Sequence, residues 1–255
     1  MKQFIDYFWF QEGFSYDPLE DPMFSIYHII MLLLCIVVVI VFWIIGKKIK
    51  NKNTMLIAIA IILFVLEALR VINILEITNT TLVGAISFHL CAIGVYLMII
   101  ACLFRKKWMF EAVFFHSLVG APTAVIIPYG ILQYYNEYSF LPVQSYITHT
   151  LLWITIIYAW KYRFFNISYK RIFIPLVSVF LSAVLAYVMS NINLKYHTGG
   201  SVNFFWTRYK DPMFEKYLHL PHPYYILVII GLLFIGGLFG YHILKQFEKR
   251  KIIRK

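Results

Sequence analysis

The stretch Phe24–Gly46 reads FSIYHIIMLLLCIVVVIVFWIIG. It holds no Asp, Glu, Lys or Arg and is followed at once by Lys47 and Lys48. A helix apolar on every side belongs in a protein core or a bilayer. At about 1.5 Å per residue this one spans about 34 Å, enough to cross a hydrocarbon core of about 30 Å. Working outward, comparable apolar runs follow at about 54–75, 82–104, 108–131, 141–160, 171–190 and 222–244. The expected fold is therefore all-α, a polytopic bundle of seven transmembrane helices over residues 24–244. Pro122 and Pro128 should kink the fourth helix or end it early, because proline lacks an amide hydrogen and crowds the preceding turn.

Composition supports this class. The 255 residues are 61% hydrophobic and 14% charged, whereas soluble domains carry roughly 45–50% apolar and about 25% charged residues. The net charge of +11 does not imply nucleic acid, since the basic residues crowd into short loops and form no groove or motif. Cys35, Cys91 and Cys102 all lie inside apolar runs, which speaks against a disulfide framework. Of the 23 Lys and Arg residues, 17 fall on one side of the expected spans. They occupy the segments 47–52, 105–107, 161–171 and 245–255. The excess of basic residues on the cytoplasmic side puts the N-terminus outside and a basic tail, residues 245–255, in the cytoplasm. Residues 1–23 form an acidic, aromatic external segment that lacks the features of a signal peptide. Phe8, Trp9 and Phe10 suit the headgroup zone.

Ionisable groups within apolar spans are costly and mark candidate sites. Glu67, Arg70, His89, Cys91 and His149 all lie in the outer half of their spans. Helix rise places Glu67, His89, Cys91 and His149 at about 10–14 Å depth. Cys91 is a candidate nucleophile and His149 a candidate base, since a thiol needs a neighbouring group to take its proton. A buried cysteine is also a common small packing residue, and a membrane histidine can simply bond a neighbouring helix. His89 and Cys91 are about 200° apart on a regular helix. If both serve one site, the third helix must be distorted there. Glu67 and Arg70, three residues apart, form either a self-neutralising pair or an anion seat for a headgroup. Glu111 reads as structural, His116 as a possible network member and His28 as interfacial.

The long external loop, about 191–221, interleaves aromatic and basic residues, as a lid on headgroups would. His219 and His222 lack the acidic partners of a metal site. No cofactor or metal is expected, and membrane lipids are the expected partners.

Phe88-His89-Leu90-Cys91 resembles the His-x-Cys motif of the YwaF family of bacterial integral membrane proteins. The stretch Glu111 to Gly120 with Pro128 looks like that family's next helix, and His149 stands at its following histidine. Gly199, Gly200, Asn203 and Phe204 are similar to its Gly-x-Asn-aromatic element. Ile86-Ser87 replaces a Leu-Pro pair, and Thr150 replaces a Gly. The family is related to transmembrane protein 164, an acyltransferase that moves fatty acyl chains between phospholipids. The resemblance implies Cys91 as nucleophile and His149 as base, with His89 as a further candidate catalytic residue. Glu67, Arg70 and Asn203 are candidate substrate contacts. The expected function is a phospholipid acyltransferase in the cell membrane. A non-enzymatic lipid or small-molecule transporter with a polar pocket is the alternative.

Overall fold

The computed structural model describes residues 2–10, 24–128, 132, 135–201, 203–204 and 224–253. Among these, all regular structure is helical. A short helix α1 (Lys2–Phe8) precedes α2 (Ile26–Lys48) and α3 (Lys52–Ile77). Then come α4 (Leu82–Ala85), α5 (Leu90–Phe104) and α6 (Lys107–Phe115). A π-helical segment (His116–Gly120) joins α6 to α7 (Ala121–Ile126). The chain ends with α8 (Phe140–Lys161), a 3-10 turn (Tyr169–Arg171), α9 (Phe173–Tyr196) and α10 (Tyr224–Ile253).

Six of these helical stretches are long and apolar enough to cross a membrane: Ile26–Lys48, Lys52–Ile77, Lys107–Ile126, Phe140–Lys161, Tyr169–Tyr196 and Ile226–Glu248. The protein is thus a multi-pass membrane protein. The expected third span is different. It is not one helix over 82–104 but the four-residue α4, an extended stretch over 86–89, and the 15-residue α5. At about 1.5 Å per residue α5 reaches only about 22 Å, short of a full hydrocarbon core.

Two other expectations need correction. Residues 191–196, expected in the external loop, extend α9, because Ser190 and Asn193 are used in buried contacts rather than left to water. The last helix continues to Ile253, through residues expected beyond the span. The kink expected from Pro122 takes the form of the π segment, in which the Ala121 amide bonds the His116 carbonyl. The helix ends at Ile126, two residues before Pro128.

Helix α8 is the central element. It is the most buried of the long helices, whereas α2 and α10 bury far less of their surface. The sequence explains why. Gln144, Ser145, Thr148, His149, Thr150 and Thr155 are polar, and polar side chains are better placed against protein than against lipid tails. Gln144 donates to the Thr148 hydroxyl (3.1 Å), and the Thr150 hydroxyl donates to the Tyr146 carbonyl (2.8 Å). Around α8 pack Leu56, Ile59 and Leu63 of α3, Val95 and Met98 of α5, and Phe110 and Phe114 of α6. Lipid tails are as apolar as these side chains, so close packing and interhelical hydrogen bonds hold the bundle rather than expulsion of water.

Several polar side chains outside the site also have partners. Glu111 is 3% exposed and pairs with Arg171 at 2.7 Å, a structural role. His28 is buried, with Nδ1 accepting from the Phe24 amide (3.0 Å) and Nε2 against the Val125 carbonyl (3.1 Å). Trp9 docks on the end of α3, where its indole bonds Glu76 and its carbonyl accepts from Asn73 (2.7 Å). Its ring also tilts against Phe140.

Candidate active site at the broken helix

The site is built where α3, α5 and α8 meet. The break at residues 86–89 leaves backbone groups without a helical ladder, and in a membrane these must be satisfied inside the protein. Side chains of α3 and α5 meet that need. Arg70 Nη2 donates to the Ala85 carbonyl at 3.1 Å, and the Tyr96 hydroxyl lies 3.0 Å from the Ser87 carbonyl. Arg70 also holds Glu67 with two bonds, Nε to Oε2 (3.0 Å) and Nη2 to Oε1 (2.8 Å). The Tyr96 hydroxyl is 2.7 Å from Glu67 Oε1. Its single hydrogen serves either Glu67 or Ser87 at one time. Glu67 and Arg70 therefore form an ion pair that also braces the break.

His89 is the N-cap of α5, with extended backbone, and Cys91 lies in the first turn. The opposed directions expected on a regular helix do not apply, because His89 is outside the helix. Its ring packs edge-on against Phe204 at 5.3 Å and lies within electrostatic reach of Arg70. No side chain caps this end of α5. The ladder begins with the Ile93 amide, which bonds the His89 carbonyl at 3.0 Å.

His149 comes from the middle of α8 and is 7% exposed. Its Nδ1 sits 2.7 Å from the Ser145 carbonyl, one turn back, and 3.2 Å from the Ser145 hydroxyl. A carbonyl can only accept, so Nδ1 carries the hydrogen and Nε2 presents a lone pair. The Cys91 thiol and this ring interact directly. Nε2 is otherwise buried with no hydrogen-bond partner. The arrangement can move one proton from sulfur to nitrogen. The group that orients the base is a backbone carbonyl.

Residues 197–201 and 203–204 form a strap over the start of α5. The Thr198 carbonyl accepts from the Thr81 amide (2.8 Å) and the Thr80 hydroxyl (2.8 Å). Asn193 holds the same strap, donating to the Ser201 carbonyl (2.9 Å) and accepting from the Thr198 hydroxyl (2.8 Å). The backbones of Gly84 and Gly200 touch, so a Cβ on Gly200 would lie 2.5 Å from Gly84 Cα. Phe204 anchors its amide on Ser190 Oγ (2.9 Å) and packs on Phe88 and His89. Asn203 adjoins Phe204, and its amide bonds Ser201 Oγ at 3.2 Å. The structure thus brings Cys91, His149, His89, Arg70 and Glu67 to one junction, with Asn203 on the covering strap. His219 and His222, and the aromatic Phe205, Trp206 and Tyr209, lie outside the described residues.

Sequence inspection missed Tyr96 and Ser145. A tyrosine in an otherwise apolar helix needs a hydrogen-bond partner, and that signal could have found Tyr96. A lone backbone carbonyl gives no signal. His116, one helix away, bonds Ser182 Oγ at 3.0 Å. Among the described residues, no three His, Cys, Asp or Glu side chains gather as a metal site would require.

A sequence profile of the TMEM164 family matches residues 23–241. This chain belongs to the TMEM164 family. The match covers every element of the site, from α3 through the strap. No curated protein and no solved structure gives a match.

Proposed function

We propose that this TMEM164-family member is a membrane acyltransferase in which Cys91 is the nucleophile and His149 the general base. The observation that carries the reading is the buried His149 Nε2, unpartnered and facing the Cys91 thiol. A lone pair beside a thiol inside a bundle is what thioester chemistry needs. In the first half-reaction the thiol proton goes to Nε2 and the sulfur bonds the carbonyl carbon of a phospholipid ester. The carbon–oxygen bond to glycerol then breaks, and the departing oxygen takes the proton back from Nε2. A lysolipid leaves and a thioester remains on Cys91. A second lysolipid hydroxyl, deprotonated by His149, reverses the sequence and collects the acyl chain.

In this reading the short α5, with the broken stretch before it, completes a seventh crossing. The N-terminus is outside and the C-terminus is in the cytoplasm of a cell-membrane protein. Cys91 then lies about 20 Å above the cytoplasmic end of α5, about 10 Å below the outer edge of the core. Ser87, Tyr96 and Arg70 make the break a polar setting for an ester carbonyl at that depth. Glu67 and Arg70 brace the break, and Asn203 sits on the strap beside it.

The test is an acyl-thioester trap. Protein in nanodiscs containing phosphatidylethanolamine with a radiolabelled acyl chain should acquire hydroxylamine-sensitive label. The label should vanish in Cys91→Ala and fall strongly in His149→Ala. Label absent from the wild type, or unchanged in Cys91→Ala, overturns the reading in favour of a non-enzymatic lipid pocket.

A further inference from the structure

The start of α5 offers more than a place for the sulfur. The amides of Leu90, Cys91 and Ala92 precede the helix ladder, whose first bond is made by Ile93. The first amides of any helix lack intrahelical partners. Together with the aligned peptide dipoles, they make this end attractive to negative charge. Here the amides of Cys91 and Ala92 turn toward the Cys91 sulfur. A second observation is independent of the helix end. His149 Nε2 is buried, unpartnered and aimed at the same sulfur from α8. The sulfur thus lies between a base without a partner and helix-end amides that no carbonyl holds.

We propose that the Cys91 and Ala92 amides form an oxyanion site, which holds the carbonyl oxygen of a fatty acyl ester while the Cys91 sulfur attacks its carbon. This rests on the acyl-transfer reading above and adds the group that stabilises its charged intermediate. When the sulfur–carbon bond forms, the carbonyl π pair moves onto oxygen. The thiol proton is by then on His149 Nε2. The negative oxygen meets two fixed donors in a site sheltered from water, where such donors act far more strongly than in bulk solvent. When the pair returns, the bond to the glycerol oxygen breaks and the amides are free again.

The experiment compares two reactions of the same sulfur. Attack on an ester, with p-nitrophenyl decanoate as probe, develops an oxyanion and releases nitrophenolate in a single-turnover burst. Alkylation by iodoacetamide needs the same sulfur and base but develops no carbonyl oxyanion. Two variants remove the donor at position 92. Ala92→Pro deletes the amide hydrogen in a first helical turn, where proline is tolerated. Lactic acid incorporated at position 92 by nonsense suppression replaces that amide with an ester of nearly the same shape, and carries the test if the proline variant fails to fold. Loss of one oxyanion donor costs roughly 10²–10³-fold in rate. The expected result is a burst slowed by about that factor, with alkylation slowed about tenfold less, its smaller loss coming from the amide's contact with the sulfur itself. An unchanged burst, or burst and alkylation falling together in the lactyl variant, overturns the oxyanion site. A wild type that alkylates in a His149-dependent way yet forms no acyl-enzyme from this ester or from phospholipid overturns the acyl-transfer reading itself.

Discussion

Gly84→Ala should loosen the outer strap. A Cβ at position 84 would collide with the Thr80 hydroxyl, lie 2.6 Å from the Thr198 carbonyl oxygen and lie 2.7 Å from the Gly200 amide nitrogen. The hydroxyl can rotate away, but the two backbone atoms cannot. Restoring ordinary contact requires the strap to retreat by nearly 1 Å. The Thr81 amide now sits 2.8 Å from the Thr198 carbonyl, and such a retreat takes it beyond hydrogen-bond range. Overpacking costs about 1–3 kcal/mol, and the lost bond adds about 1 kcal/mol. The sum is about 2–4 kcal/mol. For a chain of this size each kcal/mol moves Tm by about 2–4 °C, so a drop of about 5–15 °C is expected. The assay is thermal unfolding in nanodiscs, followed by tryptophan fluorescence. Gly231→Ala is the control, because nothing lies within 4 Å of its added Cβ. The Gly84→Ala/Gly200→Ala double variant should lose less than the sum of the singles, since both break one contact. A Tm within about 2 °C of the wild type refutes the close backbone approach.

Other outcomes follow from the site. Glu67→Gln should destabilise the protein by about 3 kcal/mol or more, measured by the same melting assay, because it strips a largely buried Arg70 of its counter-charge. Tyr96→Phe keeps the ring but removes the bond to Glu67 or Ser87, and should cost about 1–2 kcal/mol. His149→Ala should slow iodoacetamide labelling of Cys91 at neutral pH by about tenfold or more, as read by mass spectrometry, since the thiol then has no proton acceptor; labelling at the wild-type rate would show that the ring does not act on the sulfur. Glu111→Gln should weaken the hold of α6 on the 169–171 turn. Its readout is faster proteolysis after Arg171.

The long spans were legible because length and apolar composition decide them. The break at 86–89 was not. Leu82 to Phe104 carries no proline, and the groups that stabilise the extended stretch are Arg70, from another helix, and Tyr96, well beyond the break in α5. Hydrophobic runs report the solvent around a helix, not the contacts that let it stop. The extension of α9 failed for a related reason. Asn191 and Asn193 look like loop residues, yet Asn193 is 2% exposed and used by the strap. Residue type and depth singled out Cys91 and His149 as partners to examine. How the histidine is oriented was out of reach, because its acceptor is main chain.

That last feature limits what genetics can see. A collection of single-residue replacements samples side chains, and Ser145→Ala would leave the oxygen that sets the imidazole tautomer in place. Such a survey would score position 145 as dispensable, although the peptide unit there fixes which nitrogen faces the sulfur. Only chemistry that edits the chain's own linkages, or a kink introduced one turn earlier in α8, would reveal it.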